Sequence, residues 1–268
     1  MTRRRGAIGG SRTPLLVPAA LGLLFLLLPL LGLVLRAPWS SLPDLLTQPG
    51  VGQALRLSLV SATLATLLSL VLGVPLAWVL ARLRFPGRRV LRALVTLPLV
   101  LPPVVGGVGL LQTFGRRGVL GPALDRVGVS LSFTTAGVVL AEAFVAMPFL
   151  VVTVEGALAG ADQRFEDAAA TLGAGPWTTF RRVTLPMALP SVAAGAVLCF
   201  ARALGEFGAT ITFAGNLPGT TQTMPLAVYI ALESDPDAAI ALALVLLGVS
   251  IVILLALRDR WLRPAVRT

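Results

Sequence analysis

The sequence predicts an all-α integral membrane protein with six transmembrane helices. Composition supports this class, because 56% of the 268 residues are apolar and 13% are charged. Typical soluble proteins have about 45–50% apolar and about 25% charged residues. The apolar residues also fall into six long runs, each close to the roughly 20 residues that an α-helix needs to cross a bilayer.

The six runs are spaced along the whole chain, at residues 15–35, 57–81, 90–111, 134–154, 186–204 and 238–257. The first run exceeds the roughly 7–15 apolar residues of a cleaved signal peptide, so we expect it to remain as a transmembrane helix. We predict a single transmembrane domain over residues 1–268. Its parts are an Arg-rich head with an extra helix (1–35), core helices (54–257) and a loop within the core (156–185).

The arginines predict the orientation of the helices. Most of the 22 basic residues, all of them Arg, lie in the head, in the loops after the second and fourth runs, and in the C-terminal tail. Short Arg-rich loops stay in the cytoplasm, so both termini are predicted to be cytoplasmic. Arg116, Arg117 and Arg126 depart from this pattern, because they follow the third run on the side predicted to be outside.

Composition also excludes several functions. A net charge of +10 can indicate nucleic-acid binding, but membrane topology accounts for these arginines, and we expect no nucleic-acid partner. The chain has no Lys and no His, so it can form neither a P-loop ATPase site nor a Lys- or His-based catalytic site. Cys199 is the one cysteine, which leaves no ordinary nitrogen-and-sulfur metal site. We expect no metal and no cofactor in this chain.

Prolines interrupt the third run at membrane depth. Pro98, Pro102 and Pro103 lie in the segment LPLVLPPVVGGVG. Proline removes a backbone donor, so we expect a kinked helix whose freed carbonyls find partners within the protein. Two interpretations remain open for it, a buried helix, which we favour, and a helix that lines a pathway.

Three charged residues lie in or beside the fourth and fifth runs, namely Glu142, Arg202 and Glu206. Charge within a membrane is costly and usually faces the protein interior or water. These side chains could therefore make helix-packing contacts or line a pathway. The sequence leaves open whether Glu142 and Arg202 pair with each other.

The loop at 156–185 begins with the pattern of a short amphipathic helix. Asp162 is a candidate N-cap, and Glu166 and Asp167 add negative charge where the helix dipole favours it. Gly173 is expected to end the helix. Its apolar face repeats at spacings of three and four residues and consists of Phe165, Ala168, Ala169 and Leu172.

A second short helix is predicted to follow in the same loop. Pro176 can occupy its first position, Trp177 and Phe180 share one face, and Leu185–Pro186 is expected to end it. The two helices could rest on lipid headgroups or dock into a groove of a partner protein. The small side chains at 168–170 favour docking, because helices on lipid surfaces prefer bulky apolar and basic residues.

Residues 167–186 of this loop, DAA-x3-G-x9-V-x-LP, resemble the EAA motif of ABC-importer permeases, EAA-x3-G-x9-I-x-LP. The departures are Asp167 for Glu and Val183 for Ile. The resemblance implies a type I ABC-importer permease bundle with a five-helix core and one extra N-terminal helix. It also implies that the loop docks on a separate ABC ATPase subunit, which binds ATP-Mg, through Glu166, Asp167, Ala168, Ala169, Gly173, Leu185 and Pro186.

A second segment, FARALGEFGAT at 200–210 with its continuation to 225, resembles oxyanion permeases for molybdate, tungstate and sulfate, and is more similar to the molybdate type. Residues 97–106 and 114–121 are similar to the same group. Together these matches cover roughly residues 55–257. They imply a molybdate importer, with tungstate as a further substrate, in the inner membrane of a bacterium or archaeon. A sulfate or thiosulfate permease is the alternative.

The resemblance also implies the partners and the mode of action. The implied partners are ABC ATPase subunits, an extracytoplasmic oxyanion-binding protein, a second copy of the chain and the lipid bilayer. The implied mode of action is alternating access. An oxyanion is strongly hydrated, so a permease must hold it weakly. The candidate pathway residues are Arg202, Glu206, Thr210 and Asn216.

Two other classes of function compete with this interpretation. An intramembrane enzyme would have to use Glu142, Arg202 and Glu206, with no His and no metal cluster to assist them. An ion-coupled transporter would be expected to have paired intramembrane carboxylates or an inverted repeat, and the sequence shows neither.

Overall fold

The computed structural model describes residues 13–261, and every regular element in this range is helical. The longer helices are α1 (Thr13–Leu35), α3 (Pro49–Arg82), α4 (Arg88–Val100), α5 (Pro103–Phe114), α7 (Thr135–Gly160), α10 (Leu185–Leu204), α12 (Met224–Ser234) and α13 (Pro236–Trp261). The shorter helices are α2 (Leu42–Leu46), α6 (Gly121–Arg126), α8 (Arg164–Thr171), α9 (Pro176–Thr179) and α11 (Gly208–Phe213). A π-helical segment, Phe180–Thr184, joins α9 to α10.

Apolar helices account for the predicted spans. α1, α3, α7, α13 and the continuous helix Pro176–Leu204 are each long and apolar enough to cross a membrane, and the bent pair α4–α5 adds a sixth if it counts as one crossing. The prediction of an all-α membrane protein is therefore confirmed for residues 13–261. The arginines of the head, and Arg263 and Arg267 of the tail, lie outside the described residues.

The centre of the bundle is formed by α3, α7 and α10. Small side chains, including Ala62 and Ala146, are fully buried where these helices meet. Gly195 of α10 lies against α7, and a Cβ there would come within 2.9 Å of Leu150 Cδ1. Helices in lipid associate through close packing rather than through the hydrophobic effect, so these small residues stabilise the contact.

The third apolar run differs from the prediction of one kinked, buried helix. α4 and α5 are separate helices bent by 116°. Leu101 and Pro102 each precede a proline, which disfavours helical backbone, and both are extended, with ψ of 131° and 129°. α4 has no buried residue. The buried residues of α5 are Gly106, Gly107 and Leu110.

Leu185–Pro186 does not end the second loop helix as predicted. The Leu185 N–H donates to the Phe180 carbonyl, five residues back. This wider π-turn makes room for the Pro186 ring, which in an α-helix would clash with the carbonyl four residues back. The helix therefore runs without a break from the loop into α10.

The segment at 205–237, between the last two apolar runs, contains α11 and α12. α11 packs against α5, where a Cβ added to Gly107 would lie 2.8 Å from the Ala209 carbonyl oxygen. α12 packs against α3 and α13. Buried Thr210, Thr221 and Thr223 lie in this segment, so it belongs to the packed interior.

The helices define two ends of the molecule. The loop at 161–184 lies beside the C-terminal ends of α3 and α7 and the N-terminal end of α4, as the side-chain contacts below show. We call it the coupling loop, after the docking role that the resemblance implies, and we call this end of the molecule the coupling-loop end. The loop at 115–134 lies at the opposite end, beside α11, where the Phe133 N–H donates to the Phe213 carbonyl. Thr135, at the start of α7, contacts the Thr220 carbonyl at this same end.

Candidate functional site: the coupling loop and the buried polar cluster

The coupling loop is a hairpin made of α8 and α9. The Asp162 carboxylate accepts the Arg164 N–H at 3.0 Å, while the N-cap position itself is occupied by Gln163, one residue later than predicted. Gly173 ends α8 with a φ of +84°, a conformation that favours glycine, and Pro176 opens α9. The predicted hairpin is confirmed, except that its first helix begins one residue later and that Leu185–Pro186 does not end the second.

Glu166 anchors the hairpin to the bundle. Its Oε1 atom accepts hydrogen bonds from Arg82 Nη2 at 3.0 Å and from the Thr184 hydroxyl at 3.0 Å. The Arg82 side chain is largely buried. The carboxylate therefore ties α8 to the end of α3 and to the π-helical segment.

The other side of the hairpin is apolar and exposed. The exposed fractions are 58% for Phe165, 88% for Leu172 and 70% for Trp177. Trp177 stacks on Phe180, which in turn meets the ring of Trp78 edge-on at the bundle surface. The hairpin thus has one face bound to the helices of its own chain and one apolar face that is largely exposed.

A second ion pair lies at the same end of the molecule. Arg92 Nε donates to Glu155 Oε1 at 2.8 Å, which joins α4 to α7. Sequence reasoning missed the Arg82–Glu166 and Arg92–Glu155 pairs. Arg82 counts among the loop arginines that predict the topology, and the one signal for the second pair is that Glu155 directly follows the fourth run.

Two buried acids, Glu142 and Glu206, lie deeper in the bundle. Together with Arg202 we call them the polar cluster. Glu206 is 1% exposed, its Oε1 accepts the Ala209 N–H at 2.8 Å, and its Oε2 lies 2.6 Å from Arg202 Nη1. Arg202 therefore pairs with Glu206 and not with Glu142, which answers the question that the sequence left open.

Glu142 makes a different connection. It is 1% exposed, and its Oε1 accepts the Ser61 hydroxyl at 2.8 Å. Ser58, one turn before Ser61 on α3, accepts the Met224 N–H at 2.7 Å. Glu142 and the two serines therefore link α7 through α3 to α12.

The predicted pathway residues are partly brought together. Arg202, Glu206 and Thr210 lie around the junction of α10 and α11, and Asn216 lies in the turn after α11. The Thr210 hydroxyl is fully buried, and neither it nor Asn216 Oδ1 has a hydrogen-bond partner in the described chain. Among described residues, no cluster of His, Cys, Asp and Glu has the arrangement of a metal site.

Apolar spanning helices around a polar cluster, with an anchored hairpin that exposes an apolar face, define a multi-pass membrane transport component. Residues 73–268 match the family described as "Binding-protein-dependent transport system inner membrane component". The chain belongs to this family.

Relatives and solved structures agree with this family. The molybdenum transport system permease protein ModB of Mycobacterium bovis is 50% identical over 91% of this chain and 92% of its own. The sulfate transport system permease protein CysT of Escherichia coli K12 is 40% identical over 87% of this chain and 86% of its own. A bacterial alginate ABC transporter, solved in complex with a pentasaccharide-bound periplasmic protein, matches with a TM-score of 0.73 at 20% identity over 91% of both chains, which shows the fold.

These similarities decide between the classes of function. The relatives are permease proteins of transport systems, so this chain is a transport subunit and not an enzyme. The alternative in which Glu142, Arg202 and Glu206 form a catalytic site is therefore wrong.

Proposed function

We propose that this chain is the membrane-spanning permease subunit of an ATP-driven importer of molybdate and tungstate. One observation carries the ATP-driven part. The hairpin that bears the EAA-like motif is fixed to its own bundle on one face and exposes apolar side chains on the other. An exposed apolar patch of this kind marks a protein-binding surface. The substrate follows from the 50% identity to a molybdenum permease.

The partner at this hairpin is an ABC ATPase subunit. Asp167, Ala168 and Gly173 are exposed together with the apolar face, and they supply the docking surface. Glu166 instead holds the hairpin to α3, so its contribution to coupling is to transmit force within the chain.

A continuous helix connects this docking surface to the polar cluster. Pro176–Leu204 has 29 residues, which corresponds to about 44 Å of α-helix, and it ends beside Arg202 and Glu206. A displacement of the hairpin by the ATPase would therefore move the far end of α10. This connection supports alternating access, in which the polar cluster opens in turn to the two sides of the membrane.

The polar cluster suits an anion that must be released. Arg202 is already paired with Glu206, so the site has no net positive charge with which to hold a dianion tightly. Arg202 can exchange the Glu206 carboxylate for the passing oxyanion, and the free hydroxyl of Thr210 offers a further donor nearby. High affinity then belongs to the extracytoplasmic binding protein.

The remaining parts of the proposal concern assembly and membrane. Two copies of the chain would form the pathway in the bacterial inner membrane, with the coupling-loop end and both termini in the cytoplasm. The Arg-rich loops at the coupling-loop end support this orientation, since Arg82, Arg84, Arg88 and Arg89 lie there.

Transport of labelled anions tests the substrate. Proteoliposomes would contain the permease, its ATPase and the molybdate-binding protein of the same organism. We expect ATP-dependent uptake of molybdate and tungstate, with sulfate uptake near background. Preferential sulfate uptake would contradict this assignment and support the sulfate alternative. That alternative rests on the 40% identity to a sulfate permease.

A single substitution tests the coupling surface. Leu172→Glu places a charge in the exposed apolar face, so we expect the ATPase to be lost on co-purification while the thermal stability of the permease is unchanged. Leu217→Glu, an exposed leucine at the opposite end, is the matched control and should keep the ATPase. Retention of the ATPase by the Leu172 variant would contradict docking through this face.

A further inference from the structure

The loop at 115–134 has features that neither topology nor the polar cluster explains. Arg116 and Arg117 are exposed, and neither forms an ion pair among the described residues. They line a cavity of about 440 Å³ together with Gln112, Ser132 and Phe133. This cavity lies at the end opposite the coupling loop, where arginines oppose the usual charge distribution of a membrane protein.

The backbone that follows this arginine pair is folded tightly against the end of α5. The Val119 and Leu120 N–H groups donate to the Gln112 and Thr113 carbonyls at 2.9 and 2.8 Å, which folds the loop back onto the end of α5. A Cβ added to Gly118 would lie 2.6 Å from the Gln112 carbonyl oxygen, so the two backbones are in direct contact. A surface that is ordered before binding loses less entropy when a partner binds.

An aromatic side chain completes the surface. Phe133 is 54% exposed and has a φ of +60°, which is rare for a bulky residue. Its N–H donates to the Phe213 carbonyl, and a Cβ added to Gly215 would lie 3.0 Å from its ring. Strained residues of this kind concentrate at functional sites, and here the strain holds a ring at the surface.

We infer that Arg116, Arg117 and Phe133 form the docking surface for an acidic face of the extracytoplasmic binding protein, an inference that rests on the proposed function. Arginine and aromatic residues are typical anchors of protein interfaces, and exposed charges steer a complementary partner. A free oxyanion fits this surface less well, because it is strongly hydrated and gains nothing from an exposed phenyl ring.

Binding-protein-stimulated ATP hydrolysis tests the inference in the reconstituted transporter. The double variant R116E/R117E should raise the half-saturating concentration of the molybdate-loaded binding protein by at least about tenfold, the effect of about 1.4 kcal/mol. Basal ATP hydrolysis should be unchanged. The matched control is R126E, which reverses an exposed arginine in α6 that does not line the cavity.

A second measurement does not depend on the charge-reversed variant folding. Raising the ionic strength should raise the half-saturating concentration for the wild type, and R116Q/R117Q should reduce this salt dependence. An equal response to salt in R116Q/R117Q and the wild type would overturn the inference.

The other outcomes separate the alternatives. If R116E/R117E leaves the half-saturating concentration of the binding protein unchanged but makes ATP hydrolysis less dependent on molybdate, the surface is an anion site. If R116E/R117E breaks the two-copy assembly, the surface is a contact between copies. Either result overturns the inference. If no loaded binding protein stimulates ATP hydrolysis by the wild type, both the proposed function and this docking surface are wrong. Stimulation of the wild type with no effect of R116E/R117E contradicts the docking surface alone.

Discussion

Two acids, Glu166 and Glu206, are each held by an arginine and by a second donor. Glu166 is bonded to Arg82 and Thr184 at the coupling loop, and Glu206 is bonded to Arg202 and the Ala209 N–H near the other end. Removing one member of a buried charge pair leaves the other uncompensated, so single and double substitutions have distinct consequences.

Glu166→Gln should partly uncouple transport from ATP hydrolysis. It removes the charge that holds Arg82, whose side chain is largely buried, and an unsatisfied buried group costs about 1–3 kcal/mol. We expect fewer oxyanions imported per ATP in proteoliposomes and a lower unfolding temperature.

Two variants serve as controls for this prediction. The exchanged pair R82E/E166R should recover part of the coupling, because it restores opposite charges across the same contact. E233Q, at an exposed acid of α12 without an ion pair in the described chain, should behave as the wild type. If Glu166→Gln leaves the ratio of oxyanion uptake to ATP hydrolysis unaltered, the Glu166–Arg82 contact is not needed for coupling.

Single and double substitutions of the Arg202–Glu206 pair should affect stability and transport differently. Arg202→Gln leaves the buried Glu206 carboxylate unpaired, and breaking a buried pair costs about 3–5 kcal/mol. R202Q/E206Q should regain most of that stability in thermal unfolding but still fail to take up molybdate, since the anion needs the arginine. Wild-type uptake by the double variant would remove Arg202 from the pathway.

Sequence reasoning found these residues more readily than their partners. Arg202 and Glu206 stand four residues apart, and this spacing suggests a pair, but Glu142 was the partner considered in the sequence. Arg82 and Glu166 are 84 positions apart, so only the folded chain brings them together. The pairing is decided by packing of α3, α8 and the π-helical segment, which no local pattern encodes.

At the scale of helices, the tightest glycine contact between α5 and α11 is at Gly107. A Cβ at Gly107 would lie 2.7 Å from Thr212 Cβ and 2.8 Å from the Ala209 carbonyl oxygen, whereas a Cβ at Gly109 meets nothing within 4 Å. Gly107→Ala should therefore destabilise the purified protein by about 1–3 kcal/mol in thermal unfolding.

Gly109→Ala is the matched control for this glycine. It lies in the same helix and should leave the unfolding temperature unchanged or slightly raised, because alanine is the better helix former. Equal unfolding temperatures for the two variants would mean that α5 and α11 separate easily, contrary to the packing described above.

Helix boundaries were predictable only where a local rule decides them. The consecutive prolines at 102 and 103 predict an interruption, but the angle of 116° follows from how α5 packs against α11 and α7. α12 was missed because its apolar stretch has 11 residues, too few for a span. Gly173 and Pro176 were placed correctly, because a left-handed turn and a helix start have strong residue preferences.

For the whole molecule, the two ends should lie on opposite sides of the membrane. Cys199 is buried and is the one cysteine, so Cys199→Ala gives a background for single introduced cysteines. Val119, 84% exposed, reports the end that carries Arg116 and Arg117, and Leu172, 88% exposed, reports the coupling-loop end.

Labelling with a membrane-impermeant thiol reagent, without the ATPase subunit, measures this orientation. In intact cells, Val119→Cys should be labelled and Leu172→Cys should not, because short Arg-rich loops usually stay in the cytoplasm. Inside-out vesicles should reverse the pattern, and the Cys199→Ala background should stay unlabelled in both. Labelling of Leu172→Cys in intact cells would place the coupling surface outside, where ATP is absent, and no ABC ATPase could then drive the protein.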